Sequence, residues 1–396
     1  MKSLLQEYID KRLSITDLHK ELHQLIEDYE TSTGRFLFVY SADFDKGNSK
    51  DGNISLTQDD FYIIQDLLRN YTCKKIDFYI ESPGGSGESA EEIAKFLHNK
   101  FSEVNFIIAS EAKSAGTILA LSGHNISMTD SGSLGPIDAQ VRIGRSVVSA
   151  YDYYEWIKEK KIEAAKNRGL NPVDAVIISQ VSPGEIKRII NSLEFAKDLV
   201  SDWLVKYKFK DWTITETNGI TVDTEYKLER AKKVAEELTN QSKLRTHGRS
   251  LKIEDLREWL KIDRIDDNKD LAEIVYKIKT VIRLIYASSS TYKLFFTDTQ
   301  KIFRNQVVQG GTSIPFPIGN NIKNQKIEAK IEQKCPKCSK IHTLKAIPVD
   351  QLSESELKLN DIEDLVCDSC GFNVNLNPVR NQLELQLNRK VKILNN

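Results

Sequence analysis

The chain has almost no net charge. Its 56 lysines and arginines meet 57 aspartates and glutamates, a formal −1 over 396 residues. Whole-chain electrostatics therefore give it no reason to bind a polyanion, and a nucleic-acid partner is not expected. A long hydrophobic run is also missing. The most apolar stretch, 104–121, is interrupted by Glu111 and Lys113, which makes it a poor spanning helix, so no membrane partner is expected. The first ten residues carry Glu7 and Asp10 where a signal peptide needs an apolar core. A cytoplasmic protein is the expectation. There is no Walker-type glycine–lysine loop, so any ATP-driven step would need a separate partner. The polar loop 43–53 looks in part like a calcium loop but lacks the closing glutamate, and is read as a plain loop. No internal repeat and no low-complexity tract is present. Cysteine is scarce: one stands alone at Cys73, and the other four fall in two C-x-x-C pairs near the C-terminus.

What is present is enough sequence for two or three domains, 40% of it hydrophobic. Residues 1–35 read as an N-terminal helical segment, with Leu18, Leu22 and Ile26 at helical spacing. Phe36–Tyr40 reads as the first strand, and strands and helices then alternate to about Gly135. Alternation of this kind predicts an α/β fold with a parallel sheet and crossover helices. Residues 36–210 are read as the core, with helices from 149 to 208 broken at 169–172 and 182–184. A helical extension is expected over 211–300, including an apolar helix over 271–286. A glycine-rich linker is read over 301–325 and a strand-like tail over 326–396.

Two segments carry the chemistry. Ser82-Pro83-Gly84-Gly85-Ser86 follows the strand 76–80 and opens a helix near Glu88. Lys113-Ser114-Ala115-Gly116-Thr117 follows the strand 104–109 and opens a helix over 115–121. Alone, the first is no more than a tight turn, and Ser114 no more than a helix N-cap. Together, at neighbouring strand ends of one sheet, they offer a backbone N–H for an anion beside a serine hydroxyl. Acyl transfer is the reaction class that needs both.

With Glu81-Ser82-Pro83-Gly84-Gly85, then 113–121, then Gly135-Pro136-Ile137-Asp138, the chain resembles the Clp-fold serine peptidases. That superfamily also holds signal peptide peptidase A and, more distantly, the crotonases. The likeness is strongest to the serine dehydrogenase proteinase family, and Thr246-His247-Gly248-Arg249-Ser250 is similar to a His-Gly-Arg motif of its bacterial members. The resemblance covers about residues 36–295 and implies a Clp/crotonase-type fold. It also implies Ser114 as nucleophile and the N–H groups of Gly85 and Ala115 as the oxyanion hole. The implied activity is a serine endopeptidase acting on protein or peptide, in a homo-oligomer. Two other readings share the fold: a crotonase-like acyl-CoA enzyme, and a non-catalytic scaffold.

A serine nucleophile needs a base. In the processive Clp peptidases this is a histidine, but the matching position here is about Asp138, a weak base. His124 lies at the far end of the helix after Ser114, and His247 belongs to a distant segment. The serine–lysine dyads of signal peptide peptidase A fit better, because a lysine can act as base when burial lowers its pKa. In those relatives the lysine follows the serine by some forty to fifty residues, a window holding Lys158, Lys160, Lys161 and Lys166 here. On a helical wheel Lys161 lies near the middle of a stripe with Tyr154, Ile157, Ala164 and Ala165, and Lys158 near its edge. Lys161 is the first candidate base and Lys158 the second.

In the tail, Cys335-Pro336-Lys337-Cys338 and Cys367-Asp368-Ser369-Cys370 have the spacing of a Cys₄ zinc ribbon. Four thiolates leave no open position, so a structural zinc is expected. A ribbon of this size has too little core to fold without its metal.

Overall fold

In the computed structural model the described residues are 3–47, 53–137, 140–143, 146–240, 244–246, 248–306, 328–387 and 389–395. Two helices lead: α1 (Leu4–Asp10) and α2 (Ile15–Thr33). Ser14 and Asp17 close a capping box at the start of α2, and Gly34 ends it in the left-handed conformation, φ 65°. The α/β part follows as β1 (Phe36–Ala42), α3 (Gln58–Leu68), β2 (Lys75–Glu81), α4 (Gly87–Lys100), β3 (Glu103–Ile108), β4 (Glu111–Ala112), α5 (Ala115–Leu121), β5 (Asn125–Met128) and β6 (Ser133–Leu134). A hairpin, β7 (Gln140–Ile143) and β8 (Ser146–Ser149), leads to α6 (Ala150–Asn167), α7 (Pro172–Ser179), α8 (Pro183–Trp203) and α9 (Thr224–Thr239). Then come β9 (Asp263–Arg264), α10 (Lys269–Ser288), β10 (Thr291–Phe296) and β11 (Lys301–Asn305).

One seven-stranded sheet organises the chain, in the order β11-β10-β1-β2-β3-β5-β9. From β1 through β9 the neighbours are parallel, as the alternating sequence predicts, and β10 pairs antiparallel with β1. The central strands are buried along nearly their whole length because helices cover both faces, which explains their continuous apolar runs. Phe38, Phe78 and Phe106 stand side by side in register, with ring centroids 5.0 and 5.5 Å apart. They belong to the core beneath α3, α4, α5, α8 and α9. The alternate residues, Leu37, Val39, Tyr79 and Ile107, face α2 and α10.

The stretch read as helical contains strands. Residues 263–264 and 291–296 are β9 and β10 of the main sheet. Thr291-Tyr292-Lys293-Leu294-Phe295-Phe296 has the β-branched and aromatic content of a strand, and pairing with β1 covers what would be an exposed sheet edge. Within the extension read as helical, residues 253–260 form only a single turn of helix, over Ile253–Leu256.

The tail is a three-stranded antiparallel sheet of β12 (Ala329–Lys334), β13 (Ile341–Pro348) and β16 (Val391–Asn395). To it are added a hairpin of β14 (Asp364–Val366) and β15 (Asn373–Asn375) and a helix α11 (Asn377–Leu387). It has an apolar core of its own, with Ile331, Leu344, Leu376 and Ile393 buried. Lys390 pairs with Asp17 of α2 at 2.8 Å, and Asn381 donates to the Ser288 carbonyl of α10.

Candidate active site and cysteine cluster

β2 runs out of the sheet into the Ser82–Ser86 turn. Ser82 N–H donates to Glu111 O and Lys113 N–H to Ser82 O, both at 2.9 Å, so the turn lies alongside the segment that leads to Ser114. Gly84 has φ +100° and Gly85 φ +152°. A Cβ on Gly84 would stand 2.6 Å from Ser114 Cβ, and one on Gly85 would stand 2.3 Å from Leu56 O. Glycine is required at both positions by contact as well as conformation. Leu56 N–H donates to Gly84 O at 2.7 Å, and Ser86 N–H to Leu56 O at 2.9 Å. With those two groups facing Leu56, the alternation of an extended segment turns the Gly85 N–H away from it.

Ser114 has φ 48° and ψ −117°, far from the helical and strand regions, and α5 begins at the next residue. Its side chain makes no capping hydrogen bond, so the usual task of a serine before a helix is not the one it performs. Ala115 N–H is the first of the helix donors without an intrahelical acceptor. Such a conformation costs on the order of 1–3 kcal/mol and persists only where its surroundings over-determine it. They do so here. Thr117 Oγ1 donates to Ala112 O at 2.7 Å and accepts the Gly135 N–H at 2.9 Å. Gly116 N–H donates to Lys113 O at 2.8 Å, and Gly116 lies against Ser82. The result is a sharp strand-to-helix turn with a half-exposed serine at its tip.

The candidate bases are distributed unevenly. Lys161 and Lys158 are exposed on α6. Lys158 Nζ is bound to Glu155 at 2.6 Å, and Lys160 to Glu163 and Asp174, both at 2.8 Å. Lys161 forms no ion pair among the described residues. On α6 only Ala150 and Ile157 are buried, so the stripe read from the wheel is not a packed face in this chain alone. His124 is half-buried at the opposite, N-terminal end of the strands β3 and β5, where its Nδ1 accepts the Val104 N–H at 3.1 Å, and burial pushes its pKa down. Asp138 and His247 lie outside the described residues.

Lys113 was not singled out from the sequence. It is 6% exposed, and its Nζ reaches Ser250 Oγ at 2.8 Å and Ser133 Oγ and the Arg249 carbonyl at 3.3 Å. Burial lowers its pKa, with Glu111 at 4.0 Å opposing the shift. Its stem fills the space over Gly135, where a Cβ would come within 2.7 Å of Lys113 Cδ. The two-residue strand β4 gave no periodicity from which this burial could be read.

Residues 57–219 match the family of ClpP-like SDH-type serine proteinases. That span holds the Ser82–Ser86 turn, Ser114 and α6, and it leaves the cysteine tail outside. Two proteins of Methanocaldococcus jannaschii, themselves uncharacterised, are 27% identical over 148 residues and 26% identical over 205. These alignments take in 37% and 51% of this chain and 46% and 55% of the relatives. The chain thus spans about half the length of the curated relatives it matches. Two solved structures of the 1510-N membrane-bound stomatin-specific protease, a serine-to-alanine mutant and a lysine-to-alanine mutant with a substrate peptide, also align. Their identities are 14% and 13%, each with a TM-score of 0.31. They cover 56% and 63% of this chain and 79% and 83% of their own, and at that TM-score the likeness carries no weight for this chain. Among the described residues no helix is long and apolar enough to cross a membrane.

The four tail cysteines converge. Cys335 and Cys370 Sγ are 3.6 Å apart, as are Cys338 and Cys367, and all four sulfurs lie within 4.8 Å of one another. A tetrahedral ion with metal–sulfur bonds of about 2.3 Å would set them about 3.8 Å apart, so the donor set fits a metal ion. The two halves are built alike. Cys335 N–H donates to Lys340 O and Cys367 N–H to Phe372 O, both at 2.8 Å. Ser339 and Gly371 take the left-handed conformation that closes each knuckle. The N–H groups of Cys338 and Lys337 hold the Cys335 thiol down at about 7. His342 Nε2 stands 3.2 Å from Cys367 Sγ, next to the cluster rather than within it.

Proposed function

We propose that the chain is a serine peptidase that cleaves peptide bonds through an acyl-enzyme on Ser114. The observation that carries this reading is the strained Ser114 turn. Its hydroxyl is free of any capping bond, its Cβ is packed on Gly84, and it adjoins the Ala115 N–H. Ser114 Oγ attacks the carbonyl carbon, and the oxyanion is received by the N–H groups of Gly85 and Ala115. The base takes the serine proton and returns it to the leaving amine, and water then releases the acyl group. Each oxyanion donor is worth about 3 kcal/mol of transition-state stabilisation.

Lys161 is the base in this reading, with Lys158 second. Lys161 is supported by being the candidate of the two without an ion pair. Because it is exposed, the burial a lysine base needs must come from the bound peptide or from a second copy of the chain in a homo-oligomer. One observation favours Lys113 instead: it precedes Ser114 directly and is already buried. Cleavage of a denatured protein substrate by purified Lys161→Ala and Lys113→Met variants separates the two. Loss in the first with retention in the second supports Lys161, and the reverse outcome assigns Lys113. Full activity in both, together with Lys158→Ala, removes lysine from the mechanism.

The tail holds a structural zinc on Cys335, Cys338, Cys367 and Cys370. Metal analysis of a freshly reduced preparation should give one zinc per chain. Chelation should raise amide exchange in the knuckles at 335–340 and 367–372 while leaving the strands of the main sheet protected. Absence of zinc from that preparation contradicts the assignment. We further place the protein in the cytoplasm.

A further inference from the structure

On the face of the sheet opposite the Ser114 turn, the C-terminal ends of β1, β2 and β3 open with α10 onto a polar cavity of about 630 Å³. Glu81, the last residue of β2, lines it. Glu81 and Ser82 are consecutive in an extended segment, so their side chains leave opposite faces. Ser82 packs beneath Gly116, and Glu81 points toward α10.

The groups around Glu81 are unusually unsatisfied. Glu81 is 5% exposed, yet no cation lies within 4 Å of its carboxylate among the described residues. It accepts from Ser41 Oγ at 3.1 Å, and the Ser110 and Tyr79 hydroxyls stand near it. Desolvation raises its pKa, with the Ser110 and Ser41 hydroxyls and the more distant Arg283 and Lys279 opposing. Two tyrosine hydroxyls complete the surroundings. Tyr79 is fully buried with its hydroxyl near Glu81, and Tyr286 is 7% exposed with its hydroxyl near Ser41; neither makes a hydrogen bond of ordinary geometry among the described residues. Buried polar groups are nearly always partnered, so the Tyr286 hydroxyl on the cavity wall and a buried carboxylate without a cation call for something in the cavity.

Asp43, Asp45 and Glu111 also line the cavity toward its mouth, and the charges together restrict what it can hold. Lys46 is spent on the carbonyls of Tyr286, Ser289 and Thr291 and on Asp43. Lys279 Nζ donates to Ala109 O and Ser131 Oγ, both at 2.9 Å, which leaves one of its three protons. Arg283 is exposed at the rim with no ion pair among the described residues. The donors without acceptors need an anionic oxygen, and the buried carboxylate needs a cation. A simple anion would leave Glu81 unpaired, and a simple cation would leave the Tyr286 hydroxyl and Arg283 without an acceptor.

We propose that this cavity binds a small zwitterion, its ammonium against Glu81 and its carboxylate toward Arg283, Lys279 and the Tyr286 hydroxyl. That is the chemistry of a free amino acid or a short peptide. The site stands independently of catalysis at Ser114. It is joined to the Ser114 turn through one strand, because Ser82 Oγ accepts the Gly84 N–H at 3.2 Å.

The test is calorimetric titration of the full chain with glycine, alanine and dialanine, and with acetate and methylammonium as single-charge probes. At least one zwitterion should saturate, with each single-charge probe weaker by about tenfold or more. Glu81→Gln, Tyr286→Phe and the exposed Arg283→Ala should each weaken the zwitterion by about tenfold, with the melting temperature of Arg283→Ala unchanged. Acetate binding as tightly as the zwitterions would overturn the proposal, as would unaltered affinity in both Glu81→Gln and Arg283→Ala. Failure of every probe to saturate at tens of millimolar would also overturn it.

Discussion

Ser114 sits half-exposed in a turn held by Thr117, Gly84 and Gly135 and followed by a helix whose residues are all buried. Lys161 sits on α6, where two of eighteen residues are buried, and α7 beyond it has no buried residue at all. The first region is fixed by this chain alone. The second presents Ile162, Val173 and Val176 to solvent at 69, 68 and 61% exposure. The difference teaches where preorganisation lies. In the proposed reaction the nucleophile and its oxyanion donors are set in advance, while the lysine must be brought to its working environment.

That contrast can be broken at several points. Ser114→Ala should lower peptide cleavage by roughly 10⁴-fold or more without changing the melting temperature, since it removes the nucleophile and leaves the turn. Lys161→Ala should cost about 10²–10⁴-fold in kcat. The melting temperature of the same variant should not change, because the Lys161 side chain is exposed and forms no ion pair among the described residues. Gly84→Ala should act on the other side of the comparison, costing about 10²-fold in activity together with stability, because a methyl 2.6 Å from Ser114 Cβ must displace the turn.

His19 of α2 tests the scaffold by pH. It is 3% exposed and its burial holds its pKa at about 3, below the ordinary 6.5. Between those values the unfolded chain binds a proton that the folded chain refuses, so stability is full above 6.5 and falls as the pH is lowered. The slope is about 1.4 kcal/mol per pH unit. Urea unfolding at pH 7 and 4.5 should show this loss, and His19→Leu should reduce it. The smallest effect belongs to α6. Ser149 caps α6 by accepting the Asp152 N–H at 3.2 Å, and Ser149→Ala should loosen that helix by about 1 kcal/mol. Amide exchange should then rise in α6 and stay unchanged in β1 to β3.

Much of the scaffold was legible because its signals are local. Apolar runs bounded by breakers gave β1, β2, β3 and the helices between them. The breaks read at 169–172 and 182–184 fall at the starts of α7 and α8, where Asn171 and Ser182 are N-caps followed by proline. The two C-x-x-C pairs were legible for the same reason, since each knuckle is one short turn. What escaped depends on contacts distant in sequence. Leu56 fixes Gly85 from a loop with no motif, and Lys113 is buried by residues 133–134 and 249–250. β10 joins the sheet more than two hundred residues after its partner β1. The exposure of α6 was misjudged by the helical wheel because a wheel shows which residues share a face and not whether anything covers it.

The central claim is that Ser114 is a nucleophile, and covalent labelling tests it most directly. A fluorophosphonate probe on the full-length protein, followed by peptide mass spectrometry, should place the adduct on Ser114 and give none in Ser114→Ala. Labelling of Ser114→Ala to the wild-type extent would contradict the account.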